Sequence, residues 1–104
     1  MKEIVKESAE TARVYFQKFG FEPEKIEPLL EAGKRDLEKE LSILENLKNE
    51  EPFPLEEVEY TLHAIKGLLF NMGHNTAAEM INAVRIPKDD GGHEAARLME
   101  RLLR

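Results

Sequence analysis

The 104-residue chain contains no cysteine, so the sequence excludes a disulfide framework and thiolate chemistry. It also lacks an excess of positive charge: 15 Lys and Arg stand against 21 Asp and Glu, giving a net charge of −6. Nucleic acids and anionic membranes bind basic faces, so we expect neither as a partner. No apolar run reaches the length of a transmembrane helix, and charges throughout residues 1–20 are unlike a secretory signal. We therefore expect a cytoplasmic protein.

The spacing of apolar residues is helical along nearly the whole chain, and no segment alternates with period two. This pattern predicts a single all-α domain over residues 1–104. Five helical segments are predicted, at Lys2–Phe19, Pro23–Asn49, Pro54–Met72, Thr76–Val84 and His93–Leu103. Gly20 and Gly73 are expected to end the first and third segments, and residues 87–92 to form a loop. Amphipathic helices with short links pack as an antiparallel four-helix bundle, to which the first segment adds an N-terminal helix.

The inward faces of four segments follow from the same spacing. The residues predicted to be buried are Val5, Ala9, Ala12, Phe16 and Phe19 in the first segment; Ile26, Leu30, Gly33, Leu37, Leu41, Leu44 and Leu47 in the second; Leu55, Val58, Leu62, Ile65, Leu69 and Met72 in the third; and Ala95, Leu98, Met99 and Leu102 in the fifth. His74 is expected in a loop after the third segment, and His93 at the start of the last. No metal site is expected, because His63 and His74 are about 16 Å apart along a helix.

The third segment carries the chemistry. At about 100° per residue, His63 lies roughly 135° from the centre of the apolar stripe, so it is predicted to face solvent. Gly67 follows one turn later on the outward side, although glycine in a helix costs about 1 kcal/mol relative to alanine. It either opens access to the imidazole or allows another helix to pack closely. Lys66 flanks the same turn and is either a solvated lysine or a cation able to offset a phosphoryl charge.

The remaining outward residues of this segment are predicted to form a partner-binding patch. Tyr60 and Phe70 are aromatic residues placed outside the core, next to the candidate histidine. Glu56 and Asn71 fall on the same side of the helix. Neighbouring exposed aromatic side chains beside a candidate functional residue indicate a protein-binding surface.

The stretch His63-Ala64-Ile65-Lys66-Gly67, followed by Met72-Gly73, resembles the signature of histidine-containing phosphotransfer (HPt) domains. That signature is His-x-apolar-Lys-Gly with an apolar-Gly pair closing the same helix. Ala77, Ile81 and Val84 also fall where the next helix of that family packs. The resemblance implies a four-helix bundle with an extra N-terminal helix. It also implies that His63 is the phosphoacceptor, that Lys66 stabilises the phosphoryl charge and that Gly67 gives clearance.

The resemblance further implies a phosphorelay intermediate without its own ATP site, which is not an enzyme but a phosphocarrier. A histidine kinase or hybrid kinase, or a receiver-domain aspartyl phosphate, donates the phosphoryl group, and a response-regulator receiver domain accepts it. An exposed imidazole is largely neutral and nucleophilic at pH 7, which suits this chemistry. No cofactor is expected on this chain, since Mg²⁺ belongs to the receiver domain. The chain is expected to act as a monomer.

Three positions depart from the family pattern, which has small residues where this chain has Leu62, Leu68 and Phe70. Phe70 either narrows access from the far side or contacts a partner. Two other functions fit the same residues. A helical adaptor would bind a receiver domain or another partner without being phosphorylated, so it would need the patch but not the imidazole. A phosphotransfer module of the chemotaxis-kinase type would be phosphorylated by a kinase acting in trans.

Overall fold

The structure is a computed structural model that describes residues 2–84 and 93–104. Within these ranges the chain forms five α-helices and no β-strand: α1 (Lys2–Lys18), α2 (Pro23–Leu47), α3 (Leu55–Asn71), α4 (Asn75–Asn82) and α5 (His93–Leu102). The predicted all-α fold is confirmed for this part of the chain, and the predicted helix ends differ from the observed ones by at most two residues. The loop predicted at residues 87–92 lies outside the described residues.

α1 ends at a glycine, as predicted. Gly20 has a φ of +80°, which glycine adopts without steric cost. The Phe21 N–H donates to the Phe16 carbonyl at 3.1 Å, and the two rings stack with centroids 5.5 Å apart, the arrangement of a Schellman cap. The prediction that Phe19 is buried was wrong, since Phe19 is 66% exposed. α1 stops at Lys18 and the chain reverses at Gly20, so Phe19 lies beyond the part of the helix that faces the core.

α2 is the central helix and packs against α1, α3 and α5. Its predicted stripe is buried in the structure, with Gly33 half-buried; the buried members are Ile26, Leu30, Leu37, Leu41, Leu44 and Leu47. Gly33 allows α3 to approach, because a Cβ there would lie 3.2 Å from the Met72 Cε. The heptad-like spacing of leucines in α2 thus forms the inner wall against which α1, α3 and α5 pack.

α3 packs on α2 with one face and on α4 with another. The predicted inward residues are buried, apart from the half-buried Leu55, and Thr61 is buried as well. Thr61 was not predicted to be inside, but its hydroxyl donates to the Glu57 carbonyl at 2.9 Å, which satisfies the polar group within the helix. Burial of this face fixes the rotation of α3 about its axis and therefore fixes which residues face outward.

The two last helices complete the core. α4 buries Ala77, Ala78 and Ile81, and α5 buries the four residues predicted for it. The molecule measures 47 × 22 × 19 Å along its principal axes, as expected when helices of up to 25 residues lie side by side. Among the described helices, none combines the length and the apolar character needed to cross a lipid bilayer.

Candidate functional site

His63 lies near the middle of α3 and is exposed to solvent, as the spacing predicted. The neighbouring residues Leu62 and Ile65 point the other way, with exposed fractions of 3% and 0%. Within the described ranges, no polar side chain hydrogen-bonds the imidazole. Since the α-helix holds the Cα and core packing fixes its rotation, the ring is presented to solvent from a rigid support.

Gly67 leaves open space one turn beyond His63. A Cβ built at Gly67 would meet no described atom within 4 Å, apart from its immediate neighbours. The reading in which this glycine allows another helix to pack closely is therefore excluded for the described residues. By contrast, Gly33 and Gly73 each have a neighbouring side chain within that distance. Among the described residues, the surface of α3 at Gly67 is therefore open.

Lys66 lies three residues after His63 and is half-buried. Its Nζ donates a hydrogen bond to the Asn82 Oδ1 of α4 at 3.2 Å. Residues three apart on a helix are neighbours on its surface, so the ammonium and the imidazole belong to one patch. The sequence reasoning identified Lys66 but missed Asn82. The position of Asn82 in the sequence could have identified it. In a tight helical hairpin, residues equally distant from the turn lie opposite each other, and Lys66 and Asn82 are equally distant from the turn at His74.

A cleft between α3 and α4 contains the imidazole. Its walls are formed by Glu56, Glu59, Tyr60, Leu62, His63, Lys66, Ile81, Asn82 and Val84. Two carboxylates and one ammonium therefore share it, so the described wall carries a net charge of −1 when the imidazole is neutral. Any negatively charged group bound at His63 would be repelled by Glu56 and Glu59 and attracted by Lys66.

The predicted partner-binding residues are all exposed on α3: Glu56, Tyr60, Phe70 and Asn71. Tyr60 is 78% exposed and Phe70 is 38% exposed, which is unusual for aromatic side chains. Phe70 is seven residues after His63, about 10 Å along the helix on the same side. The bulky Leu62 is buried and Leu68 is half-buried, so of the three departures from the family pattern Phe70 is the exposed one.

The other two histidines belong to other elements of the chain. His93 begins α5, as predicted. His74 lies in the loop before α4, as predicted, but it is buried, with 8% exposure. The reason is a contact that spacing does not reveal: its Nδ1 lies 2.8 Å from the Ser8 Oγ of α1. Among the described residues, no cluster of three or more His, Asp or Glu is placed to hold a metal ion.

No protein-family model, no curated protein and no solved structure matches this chain. The chemistry of the cleft must therefore be inferred from its own groups. An accessible imidazole can act as a nucleophile, and the adjacent ammonium can stabilise an anion on it.

Proposed function

We propose that this protein is a phosphocarrier of the HPt type, in which His63 receives a phosphoryl group and passes it to a receiver domain. The observation that supports this most is the combination, on one side of α3, of an exposed imidazole, an adjacent ammonium and an open surface at Gly67. In the same proposal, α2 to α5 form an antiparallel four-helix bundle and α1 is the additional N-terminal helix. The protein acts as a cytoplasmic monomer.

The reaction needs little from the carrier. The unprotonated ring nitrogen of His63 attacks the phosphorus of an aspartyl phosphate on the donor receiver domain, or of ATP held by a kinase. A P–N bond forms, the P–O bond to the leaving oxygen breaks, and that oxygen departs with the electron pair. In the second step an aspartate oxygen of the acceptor attacks the phosphorus, and the P–N bond returns its electrons to the ring. Lys66 offsets the phosphoryl charge in both directions.

The test is transfer of radiolabelled phosphate from purified receiver domains and histidine kinases of the same genome. The expected product is a phosphate on this protein that is stable in base and lost in acid, as is typical of phosphohistidine and not of aspartyl phosphate. His63→Gln should abolish the label, whereas His93→Gln should retain it. Label that persists on the His63→Gln protein would exclude His63 as the acceptor.

The same experiment distinguishes the second function that fits these residues. An adaptor that binds through Tyr60 and Phe70 without being phosphorylated would bind a receiver domain but never acquire label. His63→Gln would then leave its affinity unchanged. If the protein binds a receiver domain but acquires no label from any of the donors, the adaptor function replaces the phosphocarrier proposal.

A further inference from the structure

Asn82, the last residue of α4, faces α3 across the cleft that contains His63. Its Oδ1 accepts a hydrogen bond from the Lys66 Nζ at 3.2 Å. We propose that Asn82 is a positioning residue of the phosphotransfer site, which holds the Lys66 ammonium beside His63. This inference rests on the proposed function and adds to it a residue of a second helix.

The charge of the cleft gives this contact its importance. A phosphoryl group on His63 adds close to two negative charges at neutral pH, next to the carboxylates of Glu56 and Glu59. Lys66 is the one lysine or arginine among the described residues of the cleft wall. Because a Coulomb interaction falls off with distance, its benefit depends on where the flexible lysine side chain places its ammonium.

The chemical type of the Asn82 side chain also matters. An amide oxygen is a neutral acceptor, so it restrains the lysine side chain without neutralising the ammonium. The ammonium has three N–H donors, and the bond to Asn82 uses one of them. Two donors remain for phosphoryl oxygens. A carboxylate at the same position would hold the ammonium as well, but it would cancel its charge and add a third acidic group to the cleft.

The experiment measures single-turnover transfer from a phosphorylated receiver domain to the wild-type protein and to Asn82→Ala, Asn82→Asp and Lys66→Ala. Asn82→Ala should slow transfer by about two- to fivefold, the order of one exposed charge-assisted contact, with unchanged receiver affinity and melting temperature. Asn82→Asp should be slower than Asn82→Ala despite its stronger pairing with Lys66. Asn46→Ala, at an exposed asparagine of α2, is the matched control and should transfer at the wild-type rate.

The decisive readout is the double variant Lys66→Ala/Asn82→Ala. If Asn82 acts through Lys66, removing Asn82 has no further effect once Lys66 is absent. An equal loss in both backgrounds, or a wild-type rate for Asn82→Ala, overturns the positioning role while the proposed function stands. A wild-type protein that acquires no label from any donor overturns both proposals, so the two failures are distinguishable.

Discussion

The Nδ1 of His74 lies 2.8 Å from the Oγ of Ser8, and this contact joins the α3–α4 turn to α1. Ser8 is completely buried, and His74 is 8% exposed. On the other side of the ring, Nε2 lies 3.3 Å from the Oε1 of Glu7. A carboxylate only accepts hydrogen bonds, so in the neutral ring Nε2 carries the proton and Nδ1 accepts from the Ser8 hydroxyl. His74 therefore has a structural role, because both of its ring nitrogens lie next to polar groups of α1.

Ser8→Ala should destabilise the protein, because it leaves the buried Nδ1 of His74 without a partner. The expected loss is about 1–3 kcal/mol in the free energy of unfolding. In a domain of this size each kcal/mol lowers the melting temperature by about 4–8 °C, so thermal unfolding followed by circular dichroism measures the effect.

Two variants serve as controls for that loss. Glu7→Gln should change the melting temperature little, because the Glu7 side chain is 65% exposed. Ser8→Ala combined with His74→Leu should cost less than the sum of the single variants, since replacing both partners leaves no unpaired polar atom. A Ser8→Ala protein that unfolds at the wild-type temperature would show that the buried bond contributes no net stability.

Alanine at Gly67 and at Gly73 should have opposite effects on stability. Gly67 is helical with open space around it, so Gly67→Ala should raise the free energy of unfolding by up to about 1 kcal/mol. Gly73 has a φ of +75°, and a Cβ there would lie 2.8 Å from the Tyr15 Cβ. Gly73→Ala should therefore cost about 2–4 kcal/mol, from backbone strain and overpacking together. Urea titration of both variants measures the two changes in the free energy of unfolding. A Gly67→Ala variant that is less stable than the wild type would contradict the open surface at Gly67.

The size of the side chain at position 67 should determine the rate of phosphotransfer. Gly67→Gln should fold as well as the wild type, because glutamine forms helices better than glycine. Its side chain would extend into the open space at this position, which a receiver domain would have to enter in the proposed transfer. We expect transfer to slow progressively from glycine to alanine to glutamine while the melting temperature stays level or rises. Wild-type transfer by a folded Gly67→Gln protein would refute the access role.

Local spacing predicted the helices and the outward position of His63, because burial of a helix face depends on residues within that helix. It did not predict Asn82 or the Ser8–His74 contact. The Lys66–Asn82 contact depends on how α3 and α4 are aligned across the turn at Gly73. The Ser8–His74 contact depends on how α1 packs against that turn. The prediction for Phe19 failed for a different reason. Its place in the apolar spacing is that of a core residue, but the helix ends before it and the residue is exposed.

Phe70 should contribute to partner binding rather than to stability. Phe70 is 38% exposed and lies about 10 Å along α3 from His63, on the side that a receiver domain would cover in the proposed transfer. Phe70→Ala should weaken receiver binding by about 1 kcal/mol or more, which is the magnitude typical of aromatic residues in interfaces. Isothermal titration calorimetry measures this loss of affinity.

Leu29→Ala is the matched control, because Leu29 is 40% exposed and lies on α2 rather than on the outward side of α3. If both variants bind equally well, Phe70 lies outside the interface. If Phe70→Ala instead accelerates transfer at unchanged affinity, the Phe70 ring narrows access to His63. That is the alternative role that the sequence left open for this bulky residue.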